Sequence, residues 1–85
     1  MSKDFIQART HAIEARAQAK IVELNRLLAV CESAQADLHN TPRNGALLIP
    51  FLEMHADLCE QKAAALRTIE DVCVLRREFK ELAAA

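Results

Sequence analysis

His39-Asn40-Thr41-Pro42-Arg43-Asn44-Gly45 is the stretch that decides the fold of this chain. It holds the only glycine, one of the two prolines, two asparagines and a threonine, which is nearly all of the turn chemistry present. On both sides the composition returns to Ala, Leu, Glu, Arg, Lys and Gln, the strong helix formers. One break between two helix-forming arms predicts an all-α fold. A short connection forces the arms antiparallel, giving a two-helix hairpin. The expected layout is a single domain over residues 1–85, with helix 1 about 3–38, a turn about 39–49 and helix 2 about 50–82.

The first arm starts where Ser2 or Asp4 can cap it. Its apolar positions are Ile6, Ile13, Ala17, Ile21, Leu24, Leu28, Cys31 and Leu38, flanked by Leu27 and Ala34. Steps of three, four and seven dominate, which is the helical period. Lys20 interrupts the stripe, and its aliphatic stem can lie along the seam. The second arm opens at Pro50, whose missing N–H suits the first helical position; an alternative start near Ala46 would put Pro50 inside the helix and kink it. One heptad track is Phe51, Leu58, Ala65, Val72 and Phe79; a neighbouring track is Leu52, Cys59, Leu66 and Cys73. Met54, Ile69, Leu75 and Leu82 widen that face. Each arm is expected to be roughly 50 Å long at the α-helical rise.

Two apolar tracks about 100° apart exceed the stripe that one partner helix covers. An 85-residue chain is also small for a self-sufficient core. The second arm therefore calls for a further buried contact with another chain, either a second hairpin completing a four-helix bundle or coiled-coil-like assembly, or a groove on a different protein. Phe51, Leu58, Leu66, Ile69, Val72 and Phe79 are the residues expected to share burial between the seam and the partner. Leu47, Leu48, Ile49, Phe51 and Met54 crowd the tip beside the turn. They read either as a docking tip, with Phe51 as anchor, or as a plug packed on Leu38 over the end of the bundle.

Catalytic motifs are missing. There is no HExxH, P-loop, GxSxG or Gly-rich phosphate cradle, and Ser2 and Ser33 are the only serines. The expectation is a non-enzymatic protein without a cofactor or small-molecule substrate. Three cysteines, an odd number without CxxC spacing, predict reduced and buried thiols. Cys31, His55 and Cys59 form a weak metal candidate if the arms pair so that facing residue numbers sum to about 88, but a fourth ligand is not evident. His11 and His39 are expected in solvent. Glu53, Asp57 and Glu60 form an acidic patch that the helix dipole accounts for in part.

Charge is balanced, with 11 Lys+Arg against 12 Asp+Glu and a net charge of −1. That leaves no strong basic footprint for nucleic acid. An alternative reading still exists, a dimeric bundle that binds structured RNA through Arg9, Arg16, Arg76, Arg77 and Lys80. Against it stand Asp4, Glu14, Glu78 and Glu81 in the same region, with Arg77–Glu81 and Arg67–Asp71 at pairing distance along the helix. Residues 1–7 have no apolar signal-like run, and the longest apolar stretch, 46–52, is far short of a membrane span. A cytoplasmic location is the expectation, with no membrane partner.

No motif names a family. In length, two arms and short turn, the chain resembles the small helical co-chaperones of type III secretion and the repressor-of-primer class of RNA-binding hairpins. The first resemblance implies holding an aggregation-prone protein partner. The second implies a dimeric four-helix bundle on RNA loops. Phage-encoded inhibitor proteins are also of this size. The leading expectation is a small adaptor, chaperone or inhibitor that uses the apolar face of helix 2, with the RNA-binding bundle as the alternative and a zinc or thiol-redox hairpin third.

Overall fold

A computed structural model describes residues 3–40 and 45–84. Two α-helices of equal length, α1 (Lys3–His39) and α2 (Leu48–Ala84), are joined through a short 3₁₀ turn, η1 (Gly45–Leu47). They lie side by side as a rod of 65 × 16 × 15 Å. The expected hairpin is the observed fold. Its middle turn residues 41–44 and the capping candidate Ser2 lie outside the described residues, as does Ala85.

Helix boundaries move outward at α2. The helix begins at Leu48, two residues before Pro50. Pro50 does not kink it, because the first four N–H groups of any helix lack an intrahelical acceptor and the ring meets no carbonyl one turn earlier. The far end runs to Ala84 rather than stopping near residue 82. In α1, Asp4 sits in the first turn and His39 in the last, each with the sign that complements the helix dipole. The Asn40 N–H donates to the Ala36 carbonyl at 3.2 Å and closes that helix.

The seam follows a seven-residue repeat, with Leu28 buried in addition, four residues after Leu24. Thr10, Ala17, Leu24 and Cys31 are buried in α1, and Leu58, Ala65 and Val72 in α2. Half-buried Leu38, Phe51 and Phe79 continue the two rows. A repeat of 3.5 residues per turn keeps one row facing its partner over many turns, as in a coiled coil. The largest residues gather in the half near the turn, where Leu24, Leu28, Cys31 and Leu58 form one cluster with Phe51 against it. Towards the termini the seam holds Ala17, Ala65 and Thr10, and an open cleft of about 790 Å³ is lined by Ile6, Thr10, Leu75 and Phe79 among others.

Thr10 is the seam residue that apolar periodicity overlooks. Its hydroxyl donates to the Gln7 carbonyl at 3.0 Å, so burial leaves no donor unpaired. Ile13 and Leu27, expected in the stripe, are instead exposed. They fall one position outside the two rows that face α2. Lys20 is exposed as well. It borders a shallow groove with Arg16, Gln61 and Thr68.

A polar clamp ties the helices beside the turn. The Phe51 carbonyl accepts from Gln35 Nε2 at 3.1 Å and from the Cys31 thiol at 3.2 Å. A carbonyl oxygen has two lone pairs, one of them used by the helical N–H, so the Gln35 amide and the Cys31 thiol share the other. Gln35→Leu is expected to cost about 1 kcal/mol of stability, the net worth of one such bond. Urea unfolding followed by far-UV circular dichroism would measure it. A midpoint equal to that of the parent would show that the clamp adds nothing.

Candidate functional site

With the buried rows placed at heptad position d, position e of α2 carries Leu52, Cys59, Leu66 and Cys73. Position b, on the same side and further out, carries Ile49, Ala56 and Ala63. All seven are exposed, Leu52 at 54% and Leu66 at 48%. They form one continuous stripe along α2, roughly perpendicular to the direction of α1. This is the second track of the sequence. The hairpin geometry explains its exposure: α1 covers positions a and d of its neighbour and does not reach the outer edge of e.

In an antiparallel pair the e rows of both helices share one flank and the g rows the other. The e row of α1 is His11, Gln18, Asn25 and Glu32, all exposed. One flank of the rod is therefore apolar along α2 and polar along α1. A contact that buries it would centre on α2.

The residues singled out by sequence divide between seam and surface. Leu58 and Val72 are buried in the seam, and Phe51, Ile69 and Phe79 are half-buried there. Ile69 occupies position a, between the d and e rows, and its half-burial places it towards α1. Leu66 alone of the main group stands in the exposed stripe. At the tip, Leu47, Ile49, Leu52 and Met54 are exposed, while Leu48 and Phe51 turn inward. A plug would have buried the first four.

Cysteine burial is also split. Cys31 is 2% exposed, whereas Cys59 and Cys73 are exposed and all three thiols are free. The expected burial of the latter two fails because both occupy the e row. Cys31 is expected to react with a thiol reagent only as the chain unfolds, with Cys59 and Cys73 modified well before it. Time-resolved mass spectrometry of labelled peptides would check the order, and early modification of Cys31 would contradict the seam.

The metal candidate does not assemble. The Cys31 thiol is spent on the Phe51 carbonyl. His55 Nδ1 lies 3.8 Å from Cys59 Sγ, and Nε2 lies 3.2 Å from Glu32 Oε1. Among the described residues no group of three or more His, Cys, Asp or Glu side chains converges on a metal position. The Glu32–His55 pair places facing residues at a sum of 87, within one of the expected register.

The basic candidates are dispersed. Arg76 is ion-paired with Glu14 across the seam. Arg9 lies over the Phe5 ring, 5.8 Å from its centre. Heptad positions put Arg9 and Arg16 towards the g flank, and Arg77 and Lys80 towards the e flank. The expected pairs Arg67–Asp71 and Arg77–Glu81 are not formed, so Arg77 and Arg67 extend from α2 on their own. No described helix is long and apolar enough to cross a membrane.

The fold and surface together define a helical hairpin with an exposed apolar stripe along α2. Comparison with protein families, characterised proteins and solved structures finds no match to this chain.

Proposed function

We propose that this hairpin is a non-enzymatic protein–protein interaction module whose work is to bury the α2 stripe against a partner chain, as a small adaptor, chaperone or inhibitor does. The observation that carries the reading is the unbroken exposed row Leu52, Cys59, Leu66 and Cys73, backed by Ile49, Ala56 and Ala63. Isolated exposed apolar residues are ordinary; a contiguous row several turns long marks an interaction surface. The exposed tip residues Leu47 and Met54 stand at position g, on the opposite flank, and offer a second apolar contact at the turn. Unbranched Met suits a contact that adapts to its partner.

The test is the mass of the intact assembly formed by the full chain, measured both on purified protein and on complexes captured from its native host. The reading expects a mass above the 9.5 kDa of one chain in at least one of these settings. A 9.5 kDa species in both would overturn it.

A further inference from the structure

We infer that the occupant of the α2 stripe is a second copy of this chain, packed with its own α2 antiparallel about a two-fold axis beside Ala63. The inference rests on the interaction reading above and names the partner. Three features support it.

The first is area. A compact monomer of 9.5 kDa exposes about 5,000 Å², and this hairpin exposes 6654 Å². The excess of about 1,600 Å² per chain, or about 3,200 Å² for two, is the amount an obligate homodimer buries. A thin two-helix rod has this excess because every residue lies within one side chain of the surface.

The second is shape. Along the e row large and small side chains alternate as Leu52, Cys59, Leu66 and Cys73. Antiparallel pairing in which facing residue numbers sum to about 125 sets Leu66 against Cys59 of the other copy, and Leu52 against Cys73. Each large residue meets a small one, the condition for interdigitated packing. Both Leu–Cys matches recur by symmetry. On the axis stands Ala63, whose methyl group lets two helices approach closely.

The third is charge. Glu60 and Arg67 are exposed and border the stripe one heptad apart. The same register brings Glu60 of each copy within two residues, about 3 Å along the axis, of direct opposition to Arg67 of the other. An isologous interface requires such mutual pairing. Glu70 and Arg77 interrupt the b row: Arg77 lies at the C-terminal rim, where charged groups keep their water, and Glu70 lies between Leu66 and Cys73 on the outer edge of the stripe.

The decisive experiment combines mass with crosslinking. Sedimentation of the purified chain is expected to show a species of twice the chain mass at micromolar concentration. Leu66→Asp is expected to weaken that association at least a hundredfold. In a variant carrying Cys59→Ala and Cys73→Ala, Ala63→Cys is expected to crosslink between copies with a short bis-maleimide. Ala56→Cys in the same background, held about 20 Å from its mate at the helical rise, is expected not to. The doubly Cys→Ala variant is sedimented alongside, so that loss of the dimer itself is seen separately. A monomer at all concentrations overturns the inference; if the complex captured from the host is then larger than one chain, the interaction reading stands with a different partner. A dimer in which residue 56 crosslinks and residue 63 does not overturns the antiparallel register.

Discussion

Leu24→Ala is expected to lower the unfolding free energy by about 3 kcal/mol, the middle of the range for deleting a buried leucine. Leu24 is 3% exposed and sits in the one cluster of large buried side chains, with Leu28, Cys31 and Leu58. A rod only two helices wide has few other contacts with which to close the void, so relaxation recovers little of the loss. A chain of this size is held by roughly 5–10 kcal/mol in all. The loss translates into a melting point lower by roughly 12–24 °C. Thermal denaturation at matched chain concentration, followed by circular dichroism, is the measurement. Val22→Ala serves as the contrast, because Val22 is exposed at the outer edge of α1, and it should leave the melting point within about 2 °C. Equal shifts for the two variants would show that the cluster is not the core.

Leu66→Asp and Ile69→Asp are expected to fail in different ways, although they lie three residues apart on one helix. Leu66 points out of the hairpin and Ile69 into its seam. An aspartate at 66 stays solvated in the isolated hairpin, so its helical signal and melting profile persist apart from any stabilisation the partner supplied. It becomes an unpaired buried charge only when the stripe is covered, and that costs several kcal/mol at the interface. Association is lost while the fold remains. An aspartate at 69 puts the same charge between α1 and α2, where Lys62 and Arg76 are each seven residues away along the row and Arg76 is already paired with Glu14, and the hairpin itself unfolds. Light scattering paired with circular dichroism separates the cases: helix without assembly for the first, loss of helix for the second. If Leu66→Asp loses its helical signal as Ile69→Asp does, the stripe is part of the intramolecular core. If it keeps the parental mass in a chain that otherwise assembles, the stripe is not the interface.

The two-arm layout was readable from composition alone. One glycine, two prolines and a single cluster of turn residues admit two long helices and little else. The heptad track 51–58–65–72–79 was also readable and is the buried row of α2. What periodicity could not assign was which of two parallel tracks faces inward. Phe51–Leu58–Ala65 and Leu52–Cys59–Leu66 are equally apolar and one residue apart, so a helical wheel ranks them alike. Thr10 was missed because a hydropathy pattern excludes a hydroxyl, although its seven-residue spacing from Ala17, Leu24 and Cys31 was the available signal. The start of α2 was misplaced because proline is read as a boundary, whereas a helix tolerates it anywhere in the first turn.

From its residues, then, this chain had to be a helical hairpin with more apolar surface than one neighbouring helix hides, since helix propensity, a single turn and the seven-residue repeat are properties of local order. Tertiary structure decided the rest: that Leu52, Cys59, Leu66 and Cys73 stand outside while Leu58, Ala65 and Val72 stand inside, that Cys31 is sealed beneath Phe51, and that the basic residues separate onto two flanks. The reason is rotational. A one-residue turn of α2 about its own axis, some 100°, exchanges the two tracks, and only packing against α1 sets that angle.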